Sequence, residues 1–190
     1  CVSGPARTVS GCRRRLASWL SLGLLTVSLG PAQAADADAE RSLFRQIYQE
    51  LVEIDTTHST GDTTRAARAM AQRLLDAGFP AADVQVLEPF PRKGNLVVRY
   101  RGSGDRRPML LLAHLAVVEA PRDDWTGDPF KLQERDGYFI ARGSSDNKSS
   151  GAVLVSVLAQ LRREGFVPRR DIILALTADE ERGDVPSNGA

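Results

Sequence analysis

Apolar residues recur along this chain with two different periods. Between residues 38 and 54, Leu43, Phe44, Ile47, Leu51 and Ile54 fall at near-helical spacing among charged residues, which predicts an amphipathic helix. Residues 56–62, rich in Thr, Ser and Gly, break it. Asp62 or Thr63 is then placed to cap a second, alanine-rich helix that runs to Ala77 and stops at Gly78 and Pro80. Residues 84–87 and 95–101 read as strands, parted by Pro89, Pro91 and a turn at Lys93-Gly94. Gly102-Ser103-Gly104 follows a strand with no helix opening after it, so a hairpin turn is expected there and a dinucleotide loop is not.

Residues 109–113 and 172–176 are apolar without alternation. Such runs read as strands buried on both faces, the pattern of parallel sheets in α/β proteins. Between them lie a turn-rich stretch, a hairpin of residues 131–134 and 138–141 around Asp136-Gly137, and a helix over residues 148–164. The apolar face of that helix is Val153, Leu154, Val157, Leu158 and Leu161, and Gly165 ends it. Strand, excursion, helix and strand in this order predict a right-handed crossover onto a mostly parallel sheet with flanking helices.

The polar residues that end these runs carry the chemistry. His114 follows the first run, Asp179, Glu180 and Glu181 follow the second, and Asp146 precedes the helix between them. In open α/β sheets the loops leaving the carboxyl ends of the strands splay into a crevice where ligands bind, so all of these side chains are expected at one edge. Imidazole and carboxylate ligands suit zinc, and a carboxylate that bridges suits a pair of zinc ions, leaving another to act as a base. His58, alone in its loop with no metal-spaced partner, reads as a surface histidine.

Composition narrows the classes. At 42% hydrophobic and 26% charged residues the chain is of globular type, and its 190 residues suffice for a sizeable core. Arg13, Arg14 and Arg15 precede a 14-residue apolar segment, 16–29, and Ala32-Gln33-Ala34 supplies a small-x-small cleavage site. A transmembrane span needs about twenty residues, so residues 1–34 are expected to be a cleaved signal peptide, with no stable membrane span in the product. The protein is expected to be exported, periplasmic or secreted. Both cysteines, Cys1 and Cys12, lie in this leader, which excludes disulfides, thiolate zinc sites and a cysteine nucleophile from residues 35–190. Without the leader's four arginines, 21 basic residues face 24 acidic ones, a formal charge of −3 that leaves no footprint for nucleic acid.

The succession of Leu110-Leu111-Leu112-Ala113-His114, Asp124-Trp125, Asp128-Pro129-Phe130, Asp136-Gly137-Tyr138, Ala141-Arg142-Gly143, Asp146-x-Lys148 and Thr177-Ala178-Asp179-Glu180-Glu181 resembles the co-catalytic-zinc metallopeptidases of the aminoacylase, glutamate carboxypeptidase and succinyl-diaminopimelate desuccinylase family. Each motif is weak singly; their order and spacing are specific. The resemblance implies a zinc-exopeptidase-like (phosphorylase/hydrolase-like) α/β fold, two zinc ions, and hydrolysis of amide bonds in peptides or N-acyl amino acids. It implies that His114 ligates one zinc, Glu181 the other, that Asp146 bridges both, and that Glu180 is the general base for the attacking water. It also implies a cis peptide between Asp146 and Asn147.

Two departures from the family pattern stand out. Where the family carries an aspartate two residues past the histidine, this chain has Ala116, so the carboxylate expected to hold the imidazole is replaced by a methyl group. Loss of such an outer partner weakens metal binding or activity about 10- to 100-fold, so an impaired site is expected. Asn147 stands where close relatives often have a second aspartate. The chain is also expected to be an amino-terminal part, ending before the family's lid domain, which supplies homodimer contacts and substrate-carboxylate recognition, and before the remaining zinc ligands. As a fragment, residues 35–190 are expected to be inactive alone. The alternative reading, motivated by Ala116, is a degenerate non-catalytic paralogue that keeps the fold and binds peptide or one metal.

Overall fold

The computed structural model describes residues 31–182 of the chain. The arginine run and the apolar segment of the expected leader lie outside the described residues. Two helices come first, α1 (Pro31–Val52) and α2 (Thr63–Asp76), followed by strands β1 (Val84–Leu87), β2 (Asn95–Tyr100) and β3 (Met109–His114). A small hairpin, β4 (Gln133–Arg135) and β5 (Tyr138–Ile140), precedes α3 (Lys148–Arg163) and β6 (Ile172–Thr177). Among the described residues no helix is long and apolar enough to cross a membrane.

Helix α1 starts seven residues before the position that periodicity suggests. Pro31 at the first helical position costs no hydrogen bond, and the alanines that follow have the highest helix propensity, so the helix forms without an apolar face there. Helix α2 begins where its cap allows: the Asp62 carboxylate accepts the backbone N–H of Arg65 at 3.0 Å. In the β4–β5 turn, Asp136 and Gly137 both take positive φ, 54° and 80°, which the two-residue hairpin turn requires.

The main sheet has the order β1-β2-β6-β3. Strands β3 and β6 pair in parallel, whereas β1 pairs antiparallel with β2 and β2 antiparallel with β6. The sheet is therefore mixed, and the expected parallel character belongs to the β3–β6 pair alone. Gly102-Ser103-Gly104 is not a hairpin turn, because β6 lies between the strands it joins. It serves a docking role instead: a side chain at Gly102 would stand 2.4 Å from the Arg170 carbonyl oxygen, so only glycine lets the two segments approach.

Leu96, Val98, Leu174 and Leu176 point to one face and join Ile47, Leu51, Met70, Leu74, Val155 and Leu158 of the three helices in a single core. The opposite face carries Val97, Arg99, Ile173 and, in register with them, Leu110 and Leu112. Leu110 and Leu112 are 61% and 62% exposed. Among the described residues the run 109–113 is thus not buried on both faces, because β3 lies at the sheet's edge and the three helices pack on the other side.

Candidate metal centre

Register builds the site. In the parallel pair, His114 stands opposite Thr177, and the pairing continues one residue further as Leu115 N–H donates to the Thr177 carbonyl at 2.7 Å. Beyond Thr177 the chain must turn. Asn95, at the start of β2, accepts the backbone N–H of Ala178 on its side-chain oxygen at 2.7 Å, and Asp179 takes a φ of 57°. The buried Asp179 carboxylate receives the Lys93 ammonium at 2.6 Å, and the Arg182 N–H closes the turn on the Asp179 carbonyl at 3.0 Å. With Asp179 turned inward, Glu180 and Glu181 are left facing His114. Of the three consecutive acids, one is structural and two are available to a cation.

Asp146 arrives from the other side. The loop before it is held by the Tyr48 hydroxyl, which donates to the Ser144 carbonyl at 2.7 Å. It is shaped by Gly143, whose φ is 76° and where an added Cβ would stand 2.5 Å from Val117 Cγ1. The Asp146–Asn147 peptide is cis. The Asp146 carboxylate ends 3.0 Å from His114 Nε2, with Glu180 Oε2 3.5 Å from the same nitrogen. His114, Glu180 and Glu181 each offer a donor atom within 4.8 Å of the others. Beside them lies a cavity of about 310 Å³ bordered by Val118, Arg142, Ser144, Asp146 and Glu181. A second, of about 170 Å³, opens across Val118 and Glu181 toward His58 and Arg182.

The orientation of His114 follows from its other nitrogen. Nδ1 lies 3.0 Å from the backbone carbonyl oxygen of Ala116, an acceptor, so Nδ1 carries the proton. The carboxylate of the family pattern is absent at Ala116, and the Ala116 backbone carbonyl accepts from the imidazole in its place. Nε2 then faces the Asp146 and Glu180 carboxylates. Acceptors facing acceptors repel unless a cation or a proton lies between them.

Electrostatics point the same way. Burial raises the Glu181 carboxyl above its ordinary range, the nearby charges of Asp146 and Glu180 add to that, and His114 and Arg142 oppose it. Carboxylates gathered around one imidazole suit a divalent metal ion. A nitrogen and an oxygen that share one metal ion stand about 3 Å apart, so the 3.0 Å separation of the Asp146 carboxylate from Nε2 fits a shared ion.

Comparison with known proteins agrees with this geometry. The profile of Peptidase family M20/M25/M40 matches residues 110–190, the stretch that holds β3, the hairpin, α3 and β6. The succinyl-diaminopimelate desuccinylase of Delftia acidovorans is 33% identical over 138 residues, 72% of this chain and 35% of that protein. Residues 110–190 thus carry a match to this peptidase family. The N-fatty-acyl-amino acid synthase/hydrolase PM20D1 of Homo sapiens is 41% identical over 149 residues, 75% of this chain and 29% of its own length. The chain thus spans about a third of the curated M20 relatives it matches. Among solved structures, human carnosine dipeptidase 1 aligns with a TM-score of 0.65 at 22% identity over 80% of this chain and 35% of that one, which shows the M20 fold.

Sequence reasoning missed the residues that support the site. Lys93 and Asn95 read only as a turn and a strand start, yet they fix Asp179 and Ala178. The one available signal was polarity at the start of a strand, and its meaning depends on β2 lying antiparallel to β6. His58 is not a bare surface histidine either: its ring lies 3.3 Å from Lys93 Nζ, and its side chain lines the smaller cavity with Glu181.

Proposed function

We propose that this chain is the metal-binding part of an exported zinc amidohydrolase that cleaves amide bonds of peptides or N-acyl amino acids. The supporting observation is the imidazole of His114, whose Nδ1 is held by the Ala116 carbonyl while Nε2 faces the Asp146 and Glu180 carboxylates. In this reading His114 and Asp146 hold one ion, and Asp146 and Glu181 hold the other. The bound zinc pair supplies Lewis acidity to a carbonyl and activates water. Glu180, with more than half of its side chain exposed at the cleft, takes a proton from the attacking water and returns it to the leaving nitrogen. The cavity along Arg142, Ser144 and Asp146 receives the substrate on one side of the carboxylates.

Support for the substrate class comes from the relatives, which are named for a desuccinylase, an N-fatty-acyl-amino acid synthase/hydrolase and a dipeptidase. Export rests on the arginine run, the apolar segment 16–29 and Ala32-Gln33-Ala34. The non-catalytic reading, motivated by Ala116, has less support where the Ala116 carbonyl accepts from the histidine. The full-length protein should hydrolyse N-acyl amino acids or dipeptides, lose that activity to a chelator and regain it with zinc. Absence of hydrolysis on both classes with zinc present would sink the reading.

A further inference from the structure

Helix α1 and residues 53–57 contribute no ligand or base to the proposed centre, yet they bond to both segments that carry ligands. The Thr56 hydroxyl, 1% exposed, donates to the Leu115 carbonyl at 2.7 Å, one residue past His114. The Val117 N–H points back to the Thr56 carbonyl at 3.4 Å, so residues 115–117 lie strapped to this connection, and Ala116 between them presents the carbonyl that holds His114. On the other side, the Lys148 ammonium, 0% exposed, donates to the Ile54 carbonyl at 2.7 Å, two residues past Asp146. The Tyr48 hydroxyl holds the Ser144 carbonyl two residues before it.

The connection itself is stiff. The Asp55 carboxylate accepts the Thr57 N–H at 2.9 Å and the Thr57 and Thr60 hydroxyls at 2.8 and 2.9 Å. A Cβ on Gly61 would stand 2.2 Å from Thr57 N, so the loop is folded tightly on itself. His114 sits at the end of β3 and Asp146 in a loop before α3, and no backbone hydrogen bond between β3 and that loop fixes their spacing. What the two segments share is a neighbour. We infer that the stretch from Tyr48 to Thr57 is the positioning element of the metal centre, setting the separation of His114 and Asp146 through the hydroxyls of Thr56 and Tyr48 and the ammonium of Lys148. Tyr48, Thr56 and Lys148 are positioning residues and touch neither ion nor substrate.

The inference rests on the zinc reading and is tested apart from it. In the full-length protein, zinc affinity is measured by competition with a chromophoric chelator, alongside thermal unfolding of the metal-free form, for the unsubstituted protein and for Thr56→Val, Thr56→Ser and Tyr48→Phe. Tyr100→Phe is the control, since it deletes an equivalent hydroxyl bond, to the Phe166 carbonyl, between β2 and the α3–β6 connection. Thr56→Val and Tyr48→Phe should each weaken zinc binding about 10-fold or more, the loss typical of a removed outer partner. Thr56→Ser should restore it, and Tyr100→Phe should lower the unfolding temperature while leaving zinc affinity unchanged. Equal zinc affinity in all five proteins overturns this inference alone, and an unsubstituted protein that binds no zinc overturns the metal reading with it.

Discussion

The Nδ1 nitrogen of His114 lies 3.0 Å from the carbonyl oxygen of Ala116, a residue whose side chain is only a methyl group. The bond closes within three residues of one strand end, so ring orientation is set locally and does not depend on what residue 116 is. Ala116 is 3% exposed, and an aspartate there would bury a second acceptor beside a nitrogen already engaged. Ala116→Asp is therefore expected to change zinc affinity by less than about tenfold, below the usual outer-partner effect. Zinc titration of the two full-length proteins checks this, and a gain of a hundredfold would show that the carbonyl is a poor substitute.

Lys93 and Asp179 form a pair with side chains 9% and 2% exposed, at the turn that aims Glu180 and Glu181. Breaking a buried pair by removing its cation costs about 3–5 kcal/mol, because the remaining carboxylate stays buried without its main counter-charge. Lys93→Met should lower stability by that order. Asp179→Asn should cost less, since asparagine tolerates the left-handed backbone that Asp179 adopts. Combining the two should recover part of the loss. Denaturant unfolding of the four proteins measures the cycle, and strictly additive costs would show that the pair is not coupled.

Burial pushes the Lys148 ammonium down from its usual 10.5 to about 7, against the pull of Asp55. Between pH 7 and 10.5 the unfolded chain keeps this proton while the folded chain has lost it. The unfolded state thus binds more protons, and stability from this group rises with pH across that window. For the metal-free protein, the unfolding temperature should rise from pH 7 toward pH 10 relative to Lys148→Met, which lacks the titrating group. Parallel profiles for the two proteins would contradict it.

Much of this was legible in the sequence, for physical reasons that also mark its limits. The helix of residues 148–163 and the hairpin at Asp136-Gly137 are dictated by local periodicity and turn chemistry, and they appear where expected. That His114, Asp146, Glu180 and Glu181 meet at one edge follows from parallel pairing of two apolar strands. Which faces those strands bury does not follow, because Leu110 and Leu112 carry the same letters whether or not another layer covers them. Asp179 could not be separated from Glu180 and Glu181, since its inward turn depends on Lys93, 86 positions away. The Ala116 carbonyl left no trace at all, as every residue has one.

The central claim is that His114, Asp146 and Glu181 hold metal while Glu180 does not. Anomalous diffraction at the zinc edge from crystals of the zinc-loaded full-length protein tests it most directly. Density is predicted about 2.0–2.2 Å from His114 Nε2 and from the Asp146 and Glu181 carboxylates, with Glu180 beyond bonding distance. Zinc bonded to Glu180 with Glu181 turned away, or zinc at none of these side chains, would contradict the account.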